Sequence, residues 1–167
     1  MRKLLLLTFC ALFLAGNSYA NTNEEGESGS NLPRMVSLRS NLINARSGPG
    51  ARYPIEWVYM QKGAPVEIIA EYELWRKIED WQGSQSWVHK SMLSGARTAK
   101  VISSGENNLY AKPDDKSKII ARIEDEVIGE VERCPDKSDF CLLNFSGFKG
   151  WILRSHLFGV YPKEVIN

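Results

Sequence analysis

The chain is poor in the residues that carry most catalytic and metal chemistry, with two histidines and three cysteines among 167 residues. Zinc takes about four Cys or His ligands. His89 and His156 stand far apart without ligand spacing, so no metal site is expected. A serine or cysteine nucleophile needs a base, most often histidine, and both histidines read as turn residues. No Gly-Lys-Ser/Thr occurs anywhere, which removes the phosphate-cradling loop that such a motif builds at a helix N-terminus. The acidic clusters Asp114-Asp115 and Glu124-Asp125-Glu126 fall in turn-like contexts and read as solvated, not as a paired-carboxylate hydrolase site. No enzymatic activity and no cofactor are expected. An excess of positive charge is missing too: the formal net charge is +1, and affinity for nucleic acid depends on neutralising phosphates. No nucleic-acid partner is expected.

Long apolar runs are confined to the N-terminus. Arg2 and Lys3 precede an apolar stretch from Leu4 to Ala15, and Ser18-Tyr19-Ala20 has the small-x-Ala form of a cleavage site. That stretch is shorter than the ~20 residues a spanning helix needs. Residues 1–20 are therefore expected to be a signal peptide, leaving no integral membrane span after cleavage and placing the protein in the periplasm or outside the cell. Cys10 follows Phe9 instead of a small residue, so no lipid attachment is expected. Residues 21–31, NTNEEGESGSN, hold three glutamates and no apolar side chain, and are expected to form a flexible acidic leader.

About 135 residues follow, enough for two small domains. Their charge is uneven: residues 32–100 carry +4 and residues 101–167 carry −2. Cys134 and Cys141 flank the turn-rich PDKSDF, and in an exported chain they read as a disulfide. Such a bond would contribute roughly 2.5 kcal/mol on a loop-entropy model.

Self-similarity organises the rest. Asn44 and Pro49 fall on Asn108 and Pro113, Trp75–Ile78 on Phe140–Leu143, Gly83 on Gly147, Trp87-Val88 on Trp151-Ile152, and Leu93 on Leu157. Each copy reads as short strands split by turns: Ile55–Met60, Val66–Tyr72, Leu74–Asp80 and Ser86–Val88, then Ile119–Ile123, Val127–Glu132, Phe140–Phe145 and Gly150–Leu153. Short helical turns are expected at His89–Met92 and Arg154–His156, and Thr98–Ile102 could be a strand shared between the copies. Val66, Ile68 and Ala70 alternate with polar positions, although Ile69 and Trp75 break the pattern. The fold class is all-β: two tandem barrels of about five antiparallel strands each.

The stretch NARSGPGARYP, followed by a strand, Gly63, Pro-Val-Glu-Ile-Ile, Trp75-x-Lys-Ile, Gly83 and Trp87-Val88 through Leu93, resembles the pattern of bacterial SH3-like domains. The region from about Leu32 to Val160 is similar to exported bacterial proteins with two of them, here residues 32–97 and a divergent 98–167. The second copy departs: it lacks the Gly-Pro-Gly, has Phe140 in place of the tryptophan, and carries Glu126 where a turn glycine is expected. The resemblance implies that Asn44–Pro54 is a long loop overhanging a binding groove, with Gly48 and Gly50 reversing the chain and Pro49 stiffening it.

Aromatic residues crowd the first copy: Tyr53, Trp57, Tyr59, Tyr72, Trp75, Trp81 and Trp87 exceed what a barrel of ~60 residues can bury. In one reading Trp57 and Trp87 are core and the others partly exposed; in another, Tyr53, Trp75 and Trp81 line a groove with Arg46 and Arg52 at its rim. Met92 and His89 replace the tyrosine and proline expected of a proline-peptide groove. The resemblance implies instead a cell-wall glycan or peptide, whose carboxylates arginine could meet. An envelope protein docked through the unequal charges is the alternative partner.

Overall fold

A computed structural model describes residues 24–167, and the expected signal peptide lies outside them. The strands run β1 (Glu24–Glu25), β2 (Asn31–Leu32), β3 (Arg34–Leu38), β4 (Ile43–Arg46), β5 (Ile55–Tyr59), β6 (Pro65–Tyr72), β7 (Trp75–Glu79), β8 (Gln85–His89) and β9 (Leu93–Ser94). They continue as β10 (Thr98–Val101), β11 (Asn107–Tyr110), β12 (Ile119–Ile123), β13 (Ile128–Arg133), β14 (Phe140–Phe145), β15 (Phe148–Leu153) and β16 (Leu157–Phe158). Single 3-10 turns at Lys90–Met92 and Arg154–His156 precede the last strand of each set.

Two antiparallel seven-stranded sheets result, ordered β5-β4-β8-β7-β6-β3-β9 and β12-β11-β15-β14-β13-β10-β16. Their orders are identical once the second is aligned to the first, and so are their irregularities. The ladder slips between Ala45 and Arg46 and again between Leu109 and Tyr110. It slips between Ile68 and Ala70 and again between Val131 and Arg133. The break in alternation at Ile69 is therefore a β-bulge, one extra residue that reverses which face the following side chains take. Beyond it Glu71 turns inward, its side chain 1 % exposed, and meets Arg76 on β7 and Arg34 on β3.

Each sheet closes over its own core. Leu38, Ile43, Val66, Ile68, Ile78 and Val88 fill the first, and Val101, Leu109, Leu143, Phe145 and Ile152 fill the second. Gly63 (φ 80°) and Glu126 (φ 64°) occupy equivalent turns of the two copies. Gly63 N–H donates to Leu38 O, and Glu126 N–H to Val101 O, both at 2.8 Å. A glutamate thus holds a left-handed conformation that disfavours a side chain by ~1 kcal/mol. The expected disulfide joins Cys134 and Cys141, with Cα atoms 4.3 Å apart and both residues buried. Arg154, 7 % exposed, ties that loop to the C-terminal tail: its Nη1 donates to the carbonyls of Tyr161 and Glu164, and its Nη2 to those of Pro135 and Ser138.

Three expectations need correcting. Thr98–Val101 is not shared between sheets, because β10 pairs only with β13 and β16 of the second. Glu24–Glu25 pairs with Asn31–Leu32, so this part of the acidic leader is a small hairpin. It is fastened where composition gives no hint: the Ser28 amide and hydroxyl both donate to Glu71, and Glu27 accepts the Glu73 N–H. Trp57 is not core, being 54 % exposed. It lies on β5, an edge strand paired only with β4, while Tyr59 on the same strand is the buried aromatic.

Candidate functional site

The outward face of β7 and β8 is set by strand alternation. Arg76 and Ile78, like Ser86 and Val88, point inward and are buried, which leaves Trp75, Lys77 and Glu79 beside Gln85, Trp87 and His89 outside. Register places Trp75 opposite His89 and Lys77 opposite Trp87, with Arg46 of β4 on the other flank of Trp87. The Trp75 and His89 rings meet edge to face, centroids 5.6 Å apart. His89 Nδ1 lies 2.7 Å from Ser91 Oγ and accepts the Ser91 backbone N–H. The imidazole is thus the cap of the 3-10 turn.

The Asn44–Pro54 loop is organised around Tyr53. Ser47 N–H donates to Pro54 O at 3.1 Å, closing the base of the loop. Arg46 Nη1 donates to Tyr53 O at 2.6 Å. The Arg52 guanidinium lies 5.2 Å from the centroid of the Tyr53 ring, with Nη2 3.5 Å from its hydroxyl. These contacts, the Tyr53 hydrogen bond first, raise the Arg52 pKa. The glycines act differently from the sequence expectation. Neither Gly48 nor Gly50 has a positive φ. A Cβ on Gly48 would sit 2.5 Å from Tyr53 Cδ1, so the aromatic ring lies where a side chain would be, and one on Gly50 would meet the ring at 3.4 Å.

Arg46, Arg52, Tyr53 and Trp75 therefore belong to one region, the loop and the strand face beside it. Trp81 does not. It follows β7 at the end opposite Trp75, six residues away, a separation of ~20 Å in extended chain. There its ring centroid is 6.4 Å from that of Tyr59. The Tyr59 hydroxyl donates to Asp80 Oδ2 at 3.0 Å, and burial, with the adjacent Asp80 charge, pushes the Tyr59 pKa up to about 12. Trp87 and His89 belong to the face instead. Trp87 carried a signal in the repeat itself, where it aligns with Trp151, and the strand partner of each is the last residue before the long loop, Arg46 for Trp87 and Tyr110 for Trp151.

The second copy closes the equivalent place. Phe140, counterpart of Trp75, is 8 % exposed and packs edge to face against Tyr110 with centroids 5.8 Å apart. Tyr110 stands where the first copy has Arg46. An aromatic pair thus fills the position that an arginine and a partly buried tryptophan hold in the first barrel.

The bacterial SH3 domain model matches residues 39–95 and again residues 103–159. The chain belongs to that family. The two SH3 domains therefore account for the repeated strand order and the repeated bulges. Among curated proteins none matches. Two solved structures from Trichomonas vaginalis are similar to the chain. NlpC2 is 19 % identical, with a TM-score of 0.33 over 75 % of this chain and 48 % of that one. NlpC1 is 17 % identical, with a TM-score of 0.33 over 89 % of this chain and 50 % of that one. The chain spans about half the length of each. Among the described residues no group of three or more His, Cys, Asp or Glu gathers as a metal site. No helix among them is long and apolar enough to cross a membrane.

Proposed function

We propose that the protein is a non-enzymatic, exported binding protein whose first SH3 domain recognises cell-wall material, a glycan or peptide of peptidoglycan. The observation that carries this reading is the Tyr53 loop beside the Trp75–His89 face. Aromatic surfaces there can take a sugar ring or a peptide plane, and Arg46 and Arg52 lie close enough to meet carboxylates. Family membership supports a binding role, and the Leu4–Ala15 run with its Ser-Tyr-Ala site supports export. The second SH3 domain is assigned no part in the groove, because Phe140 and Tyr110 occupy it.

Co-sedimentation with purified peptidoglycan tests the reading. The unaltered protein is expected in the pellet, and Trp75→Ala and Arg52→Ala each in the supernatant at the same protein concentration. Equal sedimentation of both variants would remove the groove. Absence of the unaltered protein from the pellet would remove wall binding.

A further inference from the structure

The second barrel places an amide where the first has an apolar core residue. Ile43 opens β4, faces Tyr59 across the ladder and is fully buried. Its counterpart Asn107 opens β11, faces Ile123 and is 2 % exposed. The shared fold therefore accepts an apolar side chain at this position, and asparagine puts two polar groups out of water there. Asn107 Nδ2 is matched, donating to Ser103 O at 2.9 Å and to Gly105 O at 3.3 Å. Both partners are carbonyls, which only accept, so the amide has a single orientation and its other end is an acceptor. That acceptor, Oδ1, is buried and receives no hydrogen bond from the described residues. Buried polar atoms are nearly always paired, so Oδ1 calls for a donor.

The surroundings select the kind of donor. Asn107 lies in the wall of a cleft of about 310 Å³ where β11 begins and β12 ends, with Glu106, Arg122, Ile123, Glu124 and Asp125 around it. Three carboxylates stand there against one cation. Arg122 is held loosely, 3.8 Å from Glu106 with side chains 69 % and 68 % exposed. Neither Glu124 nor Asp125 takes part in an ion pair among the described residues. The first barrel has another character at this end, with Leu42 in the place of Glu106 and Met60-Gln61-Lys62 in the place of Glu124-Asp125. The acidic walls and the buried acceptor thus arise together in one copy, and the fold requires neither. A water would satisfy Oδ1 alone, whereas a cationic donor answers the carboxylates as well. The carboxylates do not gather as a metal site, and Ile123 gives the cleft an apolar side that a bare ion would not use.

We propose that this cleft binds a primary ammonium carried on an alkyl chain, as in a lysine side chain. One N–H donates to Asn107 Oδ1, the charge faces Glu124 and Asp125, and the methylene stem lies on Ile123. An ammonium has three donors and no acceptor, which suits a cleft whose unpaired groups are acceptors. The site belongs to the second SH3 domain and does not depend on the ligand of the Tyr53 loop.

Nuclear magnetic resonance of the nitrogen-15-labelled full chain at low ionic strength, where exposed charges are least screened, tests it. The signals followed are those of the Asn107 side-chain amide, assigned by their loss in Asn107→Ile. The probes are Nα-acetyl-lysine methylamide, its Nε-acetylated form, tetramethylammonium, calcium and 1,5-diaminopentane. The lysine derivative is expected to shift the amide signals. Its Nε-acetylated form, and tetramethylammonium, which has the charge without an N–H, are each expected to bind at least tenfold more weakly. Glu124→Gln combined with Asp125→Asn alters only exposed residues between β12 and β13, and is expected to keep the melting temperature and weaken the lysine derivative at least tenfold. Asn107→Ile is expected to melt within a few degrees of the unaltered protein and to lose binding, read from the backbone signals of Glu106 and Ile123. Unshifted amide signals, or undiminished binding by either variant, would overturn the site. Tetramethylammonium binding as tightly as the lysine derivative would overturn it too, by reducing it to a diffuse counter-ion effect. Calcium acting at lower concentration than the lysine derivative would overturn the organic occupant. With the site upheld, tighter binding of the lysine derivative than of the diamine assigns the ammonium to a peptide, and the reverse assigns it to a free diamine. The probes are compared on unaltered protein, so they decide the matter even if Asn107→Ile folds poorly.

Discussion

At the scale of single residues, what matters in the groove is what Gly48 lacks. The Tyr53 ring occupies the space of a side chain at Gly48, and Arg46 and Arg52 are both tied to that tyrosine. Gly48→Ala forces the ring to move against a packed loop, and overpacking of this kind costs about 1–3 kcal/mol. Gly50→Ala meets the same ring at 3.4 Å, an ordinary contact. The expected outcome is a lower urea midpoint for Gly48→Ala with reduced co-sedimentation on peptidoglycan, and values near those of the unaltered protein for Gly50→Ala. Equal effects of the two substitutions would remove the special role of Gly48. The sequence displayed the Gly-Pro-Gly but not its purpose, because glycine is used both for a positive φ and for close approach, and composition does not distinguish them. The separation of Trp81 from Trp75 was legible, since a strand expected over Leu74–Asp80 already puts six residues of extended chain, about 20 Å, between the two rings. The burial of Lys100 was not, because a lysine alternating with alanine and valine carries no sign that another barrel will cover it.

At the scale of elements, strands with β-branched and aromatic runs were legible, and Ile119–Ile123 and Phe140–Phe145 have the expected bounds. Arg34–Leu38, Ile43–Arg46 and Asn107–Tyr110 were not, because their compositions, Arg-Met-Val-Ser-Leu, Ile-Asn-Ala-Arg and Asn-Asn-Leu-Tyr, give weak local preference. Long-range pairing fixes them, as when Arg34 faces Ile68 across the ladder. The β6 bulge adds an ion-pair cluster under the N-terminal hairpin. Burial alone would raise the Glu71 pKa, but hydrogen bonds from Arg34 and Ser28 outweigh it and hold the carboxyl below its ordinary value of 4.5. A carboxyl with a depressed folded pKa contributes stability that is complete above the unfolded value and is lost as pH falls through the folded one. Stability of the first barrel is therefore expected to decline once pH drops below about 4.5. Glu71→Gln is expected to cost about 3 kcal/mol at pH 7, since it leaves Arg76 buried without its partner, and to flatten the acid limb of a stability-against-pH curve. Denaturant titrations from pH 7 to pH 3 check both features. An unchanged acid limb in the variant would assign the pH dependence to other carboxyls.

At the scale of the whole molecule, the two barrels are joined by more than a connecting segment. Thr98 Oγ1 reaches Gly63 O, Tyr161 Oη donates to Glu67 Oε1 at 2.7 Å, Lys100 stacks on Trp81, and Ile128 of the second barrel packs against the first core. Arg97 fixes the segment between the sheets by donating to both carboxylate oxygens of Glu164 and to Gly159 O. Burial first, then the Glu67 contact, raises the Tyr161 pKa, so the phenol stays a donor at neutral pH. Each neutral hydrogen bond is worth ~1 kcal/mol net, somewhat more when the acceptor is charged, and the cation–π contact adds ~1 kcal/mol. A coupling of a few kcal/mol is enough to make two domains of this size melt together, since in so small a domain ~1 kcal/mol corresponds to several degrees. The unaltered protein is accordingly expected to give one calorimetric transition. Tyr161→Phe combined with Thr98→Val removes two of the ties while preserving shape, and is expected to split that transition into two separated by several degrees. Arg97→Lys, which keeps the charge but loses the fork, is expected to widen the transition without splitting it. If the double variant still melts as one unit at an unchanged temperature, the packing of Ile128 and the Lys100–Trp81 contact hold the barrels together without either hydrogen bond.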